Sequence, residues 1–369
     1  MKTRREWLTG GGSLLGAAAS AFASQKRSGR RPRILLRGSW QSVNIGDIGH
    51  TPGALSLLNK HFPDAEVTLW PGRLDQASRN LLTQNYPDLK IVEGAVGTDG
   101  RPTPELARAW AETGLYLSGS GSGFPASAHA VAFHKATGKP VGVFGVSTDP
   151  ISGIGEGREP EGGTLRELRT KALRLPPGHL PADLRYIIDR AAFFFCRDTI
   201  SRDYLRAQKI RTPILEFGPD TQLGMHIRDD AKGLAYLKVS GLEEGRFICV
   251  IPRLRYTPYY RIYGTARTPA DDIRDAINSR TTEADHAKLR EMIISYVKNT
   301  GNRVLACPEM TYQVELAKAV LVDPLPDAIR KNVVWRDSFW LPDEAASIYA
   351  RAQAVISVEC HSPLIALCN

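Results

Sequence analysis

No two of the five cysteines, Cys196, Cys249, Cys307, Cys360 and Cys368, have C-x-x-C spacing. That excludes a thioredoxin-type motif and the common structural zinc sites. The count is odd, and a core of this size needs no disulfide framework. Four of the five sit in or beside apolar runs such as Phe193-Phe194-Phe195-Cys196, so buried free thiols are expected. The histidines His50, His61, His129 and His134 lack Cys or carboxylate partners at ligand spacing. No metal site and no cofactor are therefore expected. An apolar run of the ~20 residues that a membrane span needs is missing too. Charge of one sign is scarce in the body of the chain. The formal net charge is +9, but residues 1–33 hold +7 of it, leaving +2 for the rest. The basic pI thus describes the N-terminal tail, and nucleic acid is not expected as a partner.

What is present is ordinary for a soluble globular protein: 369 residues, 42% hydrophobic and 24% charged. Such a length predicts two domains. The chain opens on Thr3-Arg4-Arg5-Glu6-Trp7-Leu8, which has the twin-arginine export pattern. A Gly- and Ala-rich stretch follows, ending in the small-x-small site Ala21-Phe22-Ala23. Residues 1–23 are expected to be a twin-arginine signal peptide, handed to the twin-arginine export machinery and cleaved. That would place the protein in the periplasm or cell envelope, with no stable membrane span after cleavage. Residues 24–33 form a basic linker.

From residue 34 onward, short apolar runs alternate with helix-like stretches. Strands are expected at 34–36, 67–70, 91–92, 115–117, 141–144, 191–196 and 214–217. Further strands are expected at 247–251, 304–306, 333–335 and 354–358. Helices are expected at 51–61, with Thr51-Pro52 as the start, and at 104–112, 126–137 and 199–208. More are expected at 282–298, 312–321 and 343–352. Residues 149–163 read as a surface loop and 256–280 as a Tyr-, Arg- and Pro-rich insertion. The alternation predicts an α/β fold with mainly parallel sheets. The predicted domains are 34–230 and 231–369.

Ligands in such folds bind where strands end and helices begin, so motifs there carry most information. Arg37 to Asp47 follows the first strand. Gly46 there suits a backbone turn closed to other residues, and Asn44 and Asp47 can hydrogen-bond backbone or ligand. The run Ser118 to Gly123, with Gly119 and Gly121, is a candidate anion cradle before a helix. It has neither the Lys-Ser/Thr ending of a P-loop nor the G-x-S-x-G of a hydrolase elbow. Arg197 follows a very apolar strand and suits a phosphate or carboxylate, while Asp198 or Thr199 can cap the next helix. Arg253 follows the strand at 247–251. His361 follows the last strand, where an imidazole can move a proton, and Ser362-Pro363 resembles a cap and first-turn pair.

Together these signals resemble the polysaccharide pyruvyl transferase family. The resemblance rests on Asn44-Ile45-Gly46-Asp47, Gly119 to Gly123, Arg197-Asp198 with Ser201, Pro219-Asp220, Arg253 and His361-Ser362. It covers residues 33–369. It implies two Rossmann-like domains in a glycosyltransferase-B-like arrangement. It also implies transfer of the enolpyruvyl unit of phosphoenolpyruvate to a sugar hydroxyl of a cell-surface glycan, as a ketal. Arg197 and Arg253 would hold the phosphate and carboxylate, and His361 would act as the acid. Asn44, Asp47, Gly119, Gly121, Asp198 and Ser362 would complete the substrate site. The chain departs from the pattern at Glu359, where the family has Arg. A carboxylate ~4 Å from an anionic donor would cost several kcal/mol at an effective dielectric of ~20. The pattern also continues past the position of Asn369, so the second domain is expected to be incomplete. An exported, non-catalytic carbohydrate- or anion-binding protein of the same fold is the alternative. A nucleotide-sugar glycosyltransferase is a third reading, which meets the same difficulty of donor supply outside the cytoplasm.

Overall fold

The first sheet is wholly parallel, which its sequence explains: strands covered on both faces read as continuous apolar runs. The computed structural model describes residues 31–148, 150–151 and 164–369. The expected signal peptide, most of the expected basic linker and nearly all of the expected 149–163 loop lie outside the described residues. Two compact units divide the chain. Of the described residues, the first holds those up to Gln41, those from His50 to Ile151 and those from 164 to Met225; the second holds Ser42–Gly49 and His226–Asn369.

In the first unit the strands are β1 (Arg33–Gly38), β2 (Glu66–Pro71), β3 (Lys90–Ile91), β4 (Leu115–Ser118), β5 (Gly121–Ser122), β6 (Val141–Ser147), β7 (Phe193–Cys196) and β8 (Leu215–Phe217). The order β3-β2-β1-β4-β6-β7-β8 is the doubly wound one, with β5 an added pair on β6. Strand order reverses between β1 and β4, where Leu36 lies opposite Leu117. The carboxyl ends of those two strands therefore flank a crevice. Below it, Trp70, Trp110 and Phe133 pack edge to face, with centroids 6.1 and 5.5 Å apart.

The second unit has β9 (Phe247–Ile251), β10 (Arg303–Ala306), β11 (Val333–Trp335) and β12 (Ala354–Ser357) in the order β11-β10-β9-β12, again all parallel. Its switch point lies between β9 and β12. Ile293 and Val297 of the helix Pro269–Thr300 join Ile248, Val250 and Val304 in one core cluster.

The α/β class with parallel sheets is thus the one expected, and every expected strand is present. Several helix boundaries need correction. The first helix runs Ile45–His61, so Thr51 and Pro52 are interior rather than its start. Asn44 supplies the cap instead, accepting the Gly46 N–H at 2.7 Å. The helix expected at 282–298 begins at Pro269, where Thr268 and Asp271 form a capping box. Much of the expected insertion is therefore helix. Helices at Gln76–Asn85, Leu165–Leu173, Ala182–Ile188 and Asp230–Ser240 were not expected from the pattern.

Candidate active site

At the second unit's switch point, three strand ends contribute four ionisable side chains. Glu309 follows β10, Arg253 follows β9, and Glu359 and His361 follow β12. The Glu309 side chain is fully buried, at 0% exposure. Its Oε1 accepts from His361 Nδ1 at 3.1 Å. Its Oε2 accepts the Ser362 backbone N–H at 2.6 Å and the Ser362 hydroxyl at 2.7 Å. Its own backbone is tied as well: the Glu309 N–H goes to Gln313 Oε1, and its carbonyl accepts the Ile45 N–H. This carboxylate is therefore held on both oxygens, and it fixes the ring that donates to it.

Burial works against a charged His361, but the side chains of Cys360 and Glu309 outweigh it and hold the ring well above the usual imidazole range. The arrangement favours the protonated ring, the form that can donate a proton.

Gly46 meets this ring directly. A Cβ there would lie 2.1 Å from His361 Cγ. Gly46 is thus not needed for a left-handed turn, as its place in the sequence suggested, but for the close approach of the imidazole. The strand-like bridge of Asn44 to Met310 brings that helix start to the site.

Ser362 is also corrected. It lies inside the helix His361–Cys368, whose cap residue is Cys360. Its hydroxyl serves Glu309 rather than the helix end.

Arg253 donates from Nη1 to Glu359 Oε2 at 2.8 Å, and its backbone N–H donates to His286 Nε2. Gln313 Nε2 donates to Glu359 Oε1 at 2.7 Å, and Tyr312 Oη accepts the Leu254 N–H. Glu359 is 6% exposed. Burial, then the charge of Glu309, push its carboxyl up to about 7; Arg253, Gln313 and His361 pull the other way. Glu359 therefore sits as a buried partner of Arg253, and it exchanges its proton near neutrality.

The first unit carries the other named residues. Arg197 Nη1 donates to Asp220 Oδ2 at 2.7 Å, and its Nε donates to Ser147 Oγ at 2.9 Å. Asp220 also accepts from His50 Nε2 at 3.0 Å and from the Gln222 N–H. Asp198 caps the helix Thr199–Ala207, taking the Ser201 N–H at 2.7 Å and the Ser201 hydroxyl at 2.8 Å. In the Gly-rich run, the Gly119 N–H is already given to the Arg37 carbonyl. Gly121 leaves room for Pro125, 2.7 Å from where a Cβ would stand, and for Trp40. Trp40 Nε1 donates to the Ser120 carbonyl. Asp47 lies in the first turn of its helix, half-buried.

The structure thus brings His361, Ser362, Gly46 and Asn44 around Glu309, and links Arg253 to Glu359. Sequence reasoning missed Glu309, Gln313, His50 and the role of Asp220. Glu309 was open to the same rule as the others, since it follows a strand end two residues after Cys307. None of the five cysteines is in a disulfide, and Cys196, Cys249 and Cys307 are buried. Among the described residues no helix is long and apolar enough to cross a membrane.

A family model described as polysaccharide pyruvyl transferase matches residues 44–368. No curated protein matches the chain. Similar solved structures include the ADP-heptose lipopolysaccharide heptosyltransferase II of E. coli, 12% identical, covering 91% of this chain and 82% of that one at a TM-score of 0.45. A family 9 glycosyl transferase from Veillonella parvula is 13% identical, covering 92% and 79% at 0.41. A UDP-glucose:anthocyanidin 3-O-glucosyltransferase is 9% identical, covering 91% and 78% at 0.47. At such identities and TM-scores these likenesses carry no functional weight.

Proposed function

Since the chain belongs to the polysaccharide pyruvyl transferase family, we propose that it transfers the enolpyruvyl unit of phosphoenolpyruvate to a saccharide as a ketal. The observation that carries this reading is His361 Nδ1, 3.1 Å from one oxygen of a buried Glu309 whose other oxygen is anchored by the Ser362 N–H and hydroxyl. In the proposed reaction the imidazolium gives its proton to the enol carbon, which becomes a methyl group. The adjacent carbon, now electron-poor, takes a sugar hydroxyl, whose proton is released. The first hydroxyl's proton returns to the imidazole, ready for the next cycle. A second hydroxyl then displaces the phosphate and closes the ketal, its proton leaving on the phosphate as hydrogen phosphate.

Arg253 and Arg197 suit the donor's anionic groups, because guanidinium forks match carboxylate and phosphate. Each already has an acidic partner in its own unit. For Arg253 that partner takes up a proton near pH 7, which would release the guanidinium toward an anion. The export reading of residues 1–23 belongs to the same proposal, and it puts the acceptor in a cell-surface glycan. The twin-arginine machinery would then be the chain's transport partner.

A second reading has one observation in its favour. An ionised Glu359 neutralises Arg253 and would leave a carbohydrate- or anion-binding protein without transfer. Mature protein incubated with phosphoenolpyruvate and pyranoside acceptors decides between them. Phosphate release with ketal formation supports transfer; glycan binding with no release from any acceptor supports the second reading. Fusing residues 1–23 to a reporter that twin-arginine transport alone exports tests the export reading.

A further inference from the structure

Arg37 lies near the carboxyl end of β1, at the point in the first sheet where strand order reverses. It is 6% exposed. Its Nη1 donates to the Trp70 carbonyl at 3.0 Å, and its Nη2 faces His129 Nδ1 at 3.4 Å. The guanidinium carbon stands 4.5 Å from the Trp70 ring centre and 5.1 Å from that of Trp40. Among the described residues no carboxylate pairs with Arg37, and its buried Nε has no hydrogen-bond partner. Tyr116 does not supply the missing charge, because burial raises its phenol far above the usual range and keeps it neutral.

A buried charge without a counter-charge is costly to fold. Two cation–π contacts return only part of that cost. Folding alone does not explain such a residue, whereas an anion arriving from outside does. The surroundings fit one. Trp40 and His129 are only half-buried, so the cluster reaches the surface. Trp40 is fixed by its Nε1 bond to Ser120, and His129 stacks on Trp70 at 4.9 Å. A guanidinium only donates, so His129 Nδ1 is the acceptor and its proton lies on Nε2. That N–H is a second donor for an oxyanion, beside Arg37. The indole of Trp40 offers an apolar face to the C–H face of a sugar ring.

We propose that Arg37, His129 and Trp40 form a binding site for an acidic sugar, with the guanidinium and imidazole N–H on its carboxylate or phosphate and the indole under its ring. The site is an acceptor subsite, and in that respect it rests on the transferase reading. The substrate class is then a glycan that already carries negative charge.

The test measures binding without phosphoenolpyruvate, so it stands apart from any assay of transfer. D-glucuronate, α-D-glucose 1-phosphate and neutral D-glucose are titrated into the mature protein by calorimetry, with the Trp40 indole N–H followed by NMR. At least one anionic sugar is expected to bind and shift that resonance, and glucose is not. Glucuronate alone marks a carboxylate site, and the phosphate ester alone a phosphate site. Arg37→Met should weaken binding by about 100-fold, with a melting temperature in the absence of sugar equal to or above that of wild type. Trp40→Ala, at a half-buried position, should weaken sugar binding while leaving the fold intact. Lack of binding by either anionic sugar overturns the proposal. So does an Arg37→Met protein that binds as tightly as wild type, or one that melts lower while retaining its affinity.

Discussion

Nδ1 of His361 stands 3.1 Å from a carboxylate oxygen of Glu309, whose side chain is fully buried. Glu309→Gln keeps the shape and removes the charge. The imidazole should then titrate at lower pH, seen directly by NMR of the ring protons. Phosphate release should fall about 10²–10⁴-fold, the usual worth of a positioned general acid. Stability should follow the sign of the shift. A histidine raised on folding stabilises fully below its unfolded value of ~6.5, and that contribution is lost as pH climbs through the folded value. The stability gap between wild type and Glu309→Gln should therefore narrow in alkali. An unchanged imidazole titration would remove Glu309 from this role.

Glu359 is a carboxyl whose shift has the same sign as that of His361. Its pKa is raised on folding, from 4.5 to about 7. Its contribution is therefore present below pH 4.5 and is lost as pH rises to about 7. Relative to wild type, Glu359→Gln should gain melting temperature between these limits. The KM for phosphoenolpyruvate should rise through pH 7 in wild type and stay flat in the variant. Parallel melting curves and parallel KM profiles would show that Glu359 does not titrate in this range.

Gly46→Ala places a methyl group 2.1 Å from the His361 ring. Overpacking of this kind costs about 1–3 kcal/mol. Denaturant unfolding should report that loss, and transfer should fall more than stability, because the ring must leave Glu309. An active Gly46→Ala enzyme of wild-type stability would mean that the helix start yields freely.

Asp198 tests the difference between holding a helix and holding a substrate. It caps Thr199–Ala207 through both Ser201 groups. Asp198→Ala should lose about 1 kcal/mol of stability with little change in KM. Asp198→Asn should restore most of the stability. A large rise in KM with stability intact would place Asp198 at the substrate instead.

The eleven expected strands were legible because parallel strands buried on both faces leave contiguous apolar runs such as Phe193 to Cys196. Helix starts were harder to read. Pro52 looked like a first-turn proline, yet Asn44 caps the helix a full two turns earlier and Pro52 is carried inside. Thr268-Pro269 was the genuine start of the long helix, hidden in a stretch rich in Tyr and Arg. The short strand β5 and the helix Gln76–Asn85 lack a run or stripe strong enough to stand out.

By itself, the order of apolar runs and turns determined the α/β class, the two parallel sheets and the rule that chemistry gathers where strands end. His361 and Arg253 could be found that way, because a strand and the loop after it are local in sequence. Which acid serves which base was settled only in three dimensions. Glu309 and His361 are 52 residues apart, Arg253 and Glu359 106 apart. Such pairs depend on which strands lie side by side, and on burial, which strengthens an interaction between charges that water would otherwise screen.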